Sequence, residues 1–205
     1  MKILIEKLTK TYESKTALND INQIFENGHI YGLYGEMGSG KSTLIKVIAG
    51  LVDYDLGSVE LQCSKSKVSF LDHDKGLYNE LTVRDNLRFW KKVYESNSRD
   101  IDEILNVFEH MNGIKDKVVS ELSSGNQQMV ALATALLNKF NILLLDEPTI
   151  NLDTHTKKEL FEFLKKEKEN AIIIMSTHNM DEILDVCTDL IKMKDGCINS
   201  VERIS

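Results

Sequence analysis

A stretch of eight residues combines glycines, a lysine and a serine at a spacing suited to holding phosphate. It fits the pattern G-x-x-x-x-G-K-[ST] and reads Gly35, Glu36, Met37, Gly38, Ser39, Gly40, Lys41, Ser42. Glycines allow backbone N–H groups to converge on an anion, the lysine reaches the terminal phosphates, and the serine gives an oxygen to Mg²⁺. A chance glycine-rich turn is the alternative. An apolar strand before the loop and an apolar helix after it favour a site for a nucleoside triphosphate.

Two adjacent carboxylates follow a short apolar segment later in the chain. Residues 142–145 are Ile-Leu-Leu-Leu, and Asp146 and Glu147 come directly after them. Ligands bind at the carboxyl ends of strands in open α/β sheets. We therefore expect Asp146 to hold Mg²⁺ through the ion's coordination shell. We expect Glu147 to orient and polarise an attacking water. Two carboxylates that merely cap a helix are the alternative.

A third segment, Leu-Ser-Ser-Gly-Asn at residues 122–126, opens a stretch rich in alanine and leucine. A serine and glycine at the start of a helix can bind an anion through free backbone N–H groups. From the residues alone, a simple helix N-cap is an equally good interpretation.

The surrounding pattern predicts the elements that position these groups. Apolar residues at 83, 87, 90 and 94, and again at 101, 104, 105 and 108, have helical spacing. The segment of about 74–138 is therefore predicted to be helical. On either side, short apolar strands alternate with helices, which indicates a mainly parallel sheet covered on both faces. The predicted strands are 2–8, 18–25, 30–34, 58–62, 67–71, 142–145, 171–176, 190–193 and 197–201, and the predicted helices outside that segment are 42–49, 154–169 and 180–187.

Taken together and in order, these segments resemble the nucleotide-binding subunit of an ABC transporter over essentially the whole chain. Residues 35–42 resemble Walker A, 142–146 Walker B, 122–126 the LSGGQ signature, and 150–153 (Ile-Asn-Leu-Asp) the D-loop. The resemblance implies an α/β fold of the P-loop NTPase type, with an N-terminal antiparallel β region and an inserted helical lobe. It also implies one domain, 1–205, in which 1–73 and 139–205 form the core and 74–138 the lobe.

The resemblance also gives individual residues their expected roles. Glu147 matches the catalytic glutamate, His178 the switch histidine, and Tyr12 the aromatic residue that stacks on adenine, although a surface strand tyrosine is the alternative for Tyr12. Lys41 completes the expected catalytic set. Ser123 and Gly125 are expected to meet the γ-phosphate bound by a second subunit. The expected ATP contacts are Tyr12, Gly35, Glu36, Met37, Gly38, Ser39, Gly40, Lys41, Ser42, Thr43, Ser123 and Gly125.

Three positions depart from the family pattern. His73 falls where a glutamine is usual, so we expect it to join Ser42 and Asp146 as a Mg²⁺ ligand and to make turnover sensitive to pH. A purely polar loop at 72–74 is the alternative, and equal pH profiles for the parent and His73→Gln would exclude the pH effect. Ser124 and Asn126 replace a glycine and a glutamine of the signature, which predicts weaker dimer closure.

Composition limits the partners. The 205 residues carry a net charge of −7, which disfavours nucleic acid, and three scattered cysteines suit a reducing compartment. No apolar run reaches the ~20 residues of a membrane helix.

The resemblance therefore implies a MgATP-hydrolysing homodimer or heterodimer of cassettes, paired head to tail. It would be cytoplasmic, held on the inner face of the membrane by separate transmembrane subunits. The chain's short C-terminal part favours export of a drug, peptide or lipid. The alternatives are a regulatory subunit with weak or no hydrolysis and a soluble ABC ATPase outside transport.

Overall fold

The computed structural model describes residues 1–64, 67–71 and 76–204. Strands β1 (Lys2–Tyr12), β2 (Lys15–Glu26) and β4 (Leu56–Leu61) form a small antiparallel sheet in the order β2-β1-β4. The predicted strands 2–8 and 18–25 are both longer in the structure, since β1 and β2 pair along a hairpin whose closing pair is Tyr12 and Lys15. Backbone pairing across the hairpin extends both strands through polar positions that the apolar pattern leaves out.

The larger sheet has the order β5-β6-β7-β3-β8-β9. Its first five strands are parallel and β9 is antiparallel to β8, as the predicted mainly parallel sheet requires. The strands are β3 (Ile30–Tyr34), β5 (Val68–Leu71), β6 (Ile142–Asp146), β7 (Ile172–Thr177), β8 (Asp189–Lys194) and β9 (Cys197–Arg203). The carboxyl ends of β3, β6 and β7 therefore meet at one edge.

Seven α-helices connect and cover the strands in the described part of the chain. They are α1 (Lys41–Ile48), α2 (Val83–Tyr94), α3 (Ile101–Leu105), α4 (Met111–Ile114), α5 (Ser124–Leu137), α6 (Thr154–Glu167) and α7 (Met180–Val186). No helix among the described residues is long and apolar enough to cross a membrane.

One predicted helix is shorter than its spacing suggests. Helical spacing continues to Phe108, but α3 ends at Leu105. The backbone N–H of Glu109 donates instead to the carboxylate of Glu159 on α6 at 2.8 Å. This tertiary contact uses the N–H of Glu109, which a longer helix would need for its own hydrogen bonding. Phe108 is nevertheless fully buried.

Two apolar cores lie on opposite faces of the larger sheet. Leu143 and Leu145 pack into the core that the helices α2–α5 share, whereas Ile142 and Leu144 pack into the core beneath α1 and the small sheet. Because β6 is buried on both faces, every residue of its apolar run contributes, at roughly 1.5–3 kcal/mol for each large side chain. These cores fix the strand ends that carry the site.

Candidate active site

The glycine-rich loop joins β3 to α1, as predicted. Gly40 stands immediately before α1 with φ of +103°, and a Cβ there would lie 2.6 Å from the carbonyl oxygen of Ala17. Only glycine fits this conformation and this space. The loop can therefore pass close to β2 of the β1–β2 hairpin.

Lys41 is buried within the loop. Its Nζ donates to the carbonyl oxygens of Gly35 at 2.8 Å and Glu36 at 3.0 Å. Burial lowers the pKa of Lys41, and the nearby carboxylates Glu147 and Asp146 raise it by less, so the pKa lies below its ordinary value. An anion placed beside this ammonium would restore interactions that burial removes.

Asp146 ends β6 and is 2% exposed. Its Oδ1 accepts hydrogen bonds from the Ser42 hydroxyl at 3.0 Å and the Ser176 hydroxyl at 2.6 Å. The structure thus brings Ser42 and Asp146 together as predicted, and oxygen donors of this kind fit Mg²⁺. The third predicted ligand, His73, lies outside the described residues.

Glu147 follows the strand in a left-handed conformation, with φ of +49°. This conformation costs a non-glycine residue about 1–2 kcal/mol. The Glu147 N–H donates to the Ser176 hydroxyl at 2.9 Å, which helps hold the turn. Successive side chains of a strand point to opposite faces of the sheet. The turn at Glu147 interrupts this alternation, so Asp146 and Glu147 can both lie at the carboxyl end of the sheet.

His178 lies beside Glu147. Its Nδ1 is 3.1 Å from the nearer carboxylate oxygen of Glu147, and its side chain is 71% exposed. The strand β7 ends at Thr177, so the histidine stands at the same sheet edge as the carboxylates. The pair can accept a proton or orient a water at the mouth of the cleft.

Lys41, Ser42, Glu147 and His178 line a cleft of about 690 Å³. Most of the predicted nucleotide-contacting residues line it. They are Tyr12, Glu36, Met37, Gly38, Ser39, Gly40, Lys41, Ser42 and Thr43, together with Glu147 and His178. Gly35 lines an adjoining cleft of about 450 Å³. Tyr12 is 45% exposed, which leaves its ring available to a base.

Sequence reasoning missed Lys15, which also lines the cleft. Its Nζ lies 3.5 Å from the position that a Cβ of Gly38 would occupy, directly over the phosphate loop. Lys15 pairs with Tyr12 across the hairpin. The only sequence signal for Lys15 is its position three residues after Tyr12. Other charged residues lie nearby in the sequence, so this position does not single Lys15 out.

Ser123 and Gly125 lie elsewhere. They line a separate depression of about 270 Å³ together with residues 151–153, and neither lines the phosphate cleft. The Ser123 hydroxyl accepts from the N–H of Asn126 at 3.3 Å, so it caps α5, which was one of the two interpretations. A Cβ on Gly125 would overlap the carbonyl oxygen of Asn151. The signature segment is thus packed against the D-loop of its own chain.

Comparison with known proteins agrees with this geometry. A family model described as ABC transporter matches residues 18–150. The sulfate/thiosulfate import ATP-binding protein CysA of Synechocystis sp. is 32% identical over 98% of this chain, which spans 60% of that protein. The ribose import ATP-binding protein RbsA of Caldanaerobacter subterraneus is 31% identical over 97% of this chain, which spans 44% of its length.

Solved structures give the same result. A bacterial ABC transporter cassette solved as a dimer has a TM-score of 0.89 and 26% identity, with 99% of each chain covered. An ATP-binding cassette in a dimeric post-hydrolysis state, bound to ADP and phosphate, has a TM-score of 0.88 and 25% identity over 99% of each chain. The protein described here therefore belongs to the ABC transporter family, and its fold is that of an ABC-type ATPase cassette.

Proposed function

We propose that this chain binds MgATP in the cleft above residues 35–42 and hydrolyses it. The observation that supports this most is the pairing of Glu147 with His178 at 3.1 Å, on the same sheet edge as the hydrogen-bonded pair Asp146 and Ser42. A site that only bound nucleotide would need the loop but not a carboxylate and histidine set at its mouth.

The roles follow from the contacts. Lys41 exchanges the carbonyl oxygens of Gly35 and Glu36 for phosphate oxygens, and the loop N–H groups complete the cradle. Ser42 and Asp146 would hold Mg²⁺, which supplies positive charge next to the transferred phosphoryl group. Glu147 places the attacking water, and His178 keeps the Glu147 carboxylate directed at it. Positioning and charge stabilisation supply the catalysis.

The second half of the site would come from another cassette. Ser123 and Gly125 lie in a depression of their own, and serine hydroxyls and N–H groups at the start of α5 suit an anion. In a head-to-tail dimer, this surface meets the partner's phosphate cleft. The dimeric form of the two structurally similar cassettes supports that arrangement.

Work on a membrane substrate would require transmembrane partner subunits, which would hold the cassette at the membrane face. On α2, Phe89 is partly exposed and contacts Tyr78 with a centroid distance of 4.5 Å, so these rings are candidates for the contact. The relatives named above are import proteins, so the comparisons do not support the expected export of a drug, peptide or lipid. Their names favour import of a small polar solute.

Two measurements on the purified chain test the proposal. The parent should release phosphate from MgATP, and Glu147→Gln should reduce the rate by roughly a thousandfold, since the carboxylate that places the water is lost. On size exclusion, Glu147→Gln should form a dimer with ATP and remain a monomer with ADP. A parent that binds ATP without releasing phosphate, alone or with a membrane partner, would indicate instead a regulatory subunit, which the signature departures at Ser124 and Asn126 favour.

A further inference from the structure

A buried carboxylate on α7 links two segments of the candidate active site. Glu182 is 6% exposed. Its Oε2 accepts hydrogen bonds from the hydroxyls of Thr149 at 2.7 Å and Thr177 at 2.8 Å, and its Oε1 accepts from Lys157 on α6 at 2.7 Å. One side chain therefore holds three separate parts of the chain.

Two of these partners adjoin the catalytic pair. Thr177 precedes His178, and its hydroxyl also accepts from the N–H of Asn179 at 3.1 Å, which fixes the turn that carries the histidine. Thr149 lies two residues after Glu147, at the start of the turn leading to Asn151, whose φ is +62°. A cavity of about 210 Å³ lies between the two segments and is bounded by Glu147, His178 and Glu182.

The segment on the Thr149 side reaches the signature surface. The carbonyl oxygen of Pro148 accepts from Gln128 Nε2 on α5 at 3.1 Å, and the carbonyl of Asn151 faces Gly125 closely enough to exclude a Cβ. A continuous series of contacts thus runs from the signature depression through residues 148–151 to Glu182. From there it reaches the His178 turn.

We propose that Glu182 is a positioning residue that holds the His178 turn against residues 149–153, so that His178 is set correctly only while the signature side is in place. This inference rests on the proposed function, because it assigns the contact a part in ATP hydrolysis. It predicts that weakening the contact slows hydrolysis and leaves nucleotide binding unchanged.

The bonding of the carboxylate separates this role from simple support of the fold. Ile183 and Val186 pack α7 into the core that α2–α5 share, and this packing does not involve the Glu182 carboxylate. Burial raises the pKa of Glu182, but the hydrogen bonds from Lys157, Thr149 and Thr177 together outweigh it, and the pKa lies below its ordinary value. Glu182 is therefore a charged acceptor near neutral pH, and hydrogen bonds to charged groups are the stronger kind.

Variants of the residues around the carboxylate, and then of Glu182 itself, test the proposal. Thr149→Val and Thr177→Val each delete one hydroxyl on Oε2, whereas Lys158→Met changes an exposed lysine on α6 and serves as the control. Each valine variant should lower kcat by roughly tenfold with KM for ATP unchanged, since small displacements of a catalytic group have effects of this size. Lys158→Met should change kcat by less than about twofold. Glu182→Gln keeps an acceptor oxygen and should recover most of the activity that Glu182→Ala loses.

Hydrogen exchange provides a readout that does not need hydrolysis. In nucleotide-free protein, Thr149→Val should increase amide exchange in residues 177–179, and Thr177→Val should increase it in residues 149–153, because each segment loses its anchor to the other. If each variant loosens only its own segment, the proposed link is wrong. If exchange is coupled but kcat is unchanged in an active parent, the positioning role is wrong. If exchange is coupled and the parent does not hydrolyse ATP, the link stands and the proposed hydrolysis fails.

Discussion

The phosphate cleft and the signature depression differ in how completely they are built. The cleft is lined by the buried Lys41 and by Ser42, which is hydrogen-bonded to the buried Asp146, and it has a carboxylate and a histidine at its mouth. The depression has a smaller volume, about 270 Å³ against about 690 Å³, and its serines are exposed at the start of α5. The cleft carries a lysine and a glycine-rich loop within one chain, whereas the described lining of the depression has no lysine or arginine and includes the carboxylate of Asp153. Because the two regions differ in this way, nucleotide binding and hydrolysis should respond separately to mutation.

The largest effect is expected at the cleft. Lys41→Met should weaken MgATP binding by at least about a hundredfold, because the only ammonium buried within the described loop is lost. Titration with a fluorescent ATP analogue measures this. Lys165→Met changes an exposed lysine on α6 and is the matched control. Equal losses in both variants would show that net charge, and not the loop, controls affinity.

On the signature side, Gly125→Ala should reduce hydrolysis by roughly thirtyfold and leave binding to the monomer unchanged. The added Cβ would overlap the carbonyl oxygen of Asn151 and displace the surface offered to a partner. Gly113→Ala, in α4, is a control in open space, since nothing lies within 4 Å of its Cβ position. Phosphate release and ATP titration distinguish the two regions. A parallel loss of binding in Gly125→Ala would contradict their independence.

Lys15→Met tests whether Lys15 contacts the phosphates or the base of a bound nucleotide. Removing its ammonium from above Gly38 should weaken ATP binding by about fivefold and adenosine binding hardly at all, since an exposed charge contributes about 1 kcal/mol to an anion. Isothermal titration with ATP, ADP and adenosine measures the trend, again with Lys165→Met beside it. An equal loss for adenosine would place Lys15 near the base instead of the phosphates.

The smallest effect is expected from Ser124→Gly, which restores the residue usual at this signature position. Closer approach of a partner backbone should raise phosphate release by about two- to threefold without changing monomer affinity. The concentration dependence of phosphate release provides the measurement. A lower rate would mean that the Ser124 hydroxyl itself assists the partner site.

The sequence predicted the parts of the site that are contiguous in the chain. Residues 35–42 and the Asp146–Glu147 pair follow buried strands, and burial of strands leaves a readable apolar run. Lys15 and Glu182 were missed because their importance comes from contacts between distant segments, such as Glu182 with Thr149. The end of α3 at Leu105 could not be read from the helical spacing for the same reason, since the N–H of Glu109 donates to Glu159, which lies 50 residues away in sequence.

The position of Tyr12 at the end of the β1–β2 hairpin has a consequence for the choice of base. An aromatic ring recognises a purine by its flat face, whereas hydrogen bonds to the ring edges distinguish adenine from guanine. The described residues that line the cleft include no asparagine or glutamine, but Lys15, Glu36 and Ser39 among them carry polar side chains. Stacking on Tyr12 would therefore leave the choice between ATP and GTP to polar groups such as these, because the flat face of the ring does not distinguish the two bases.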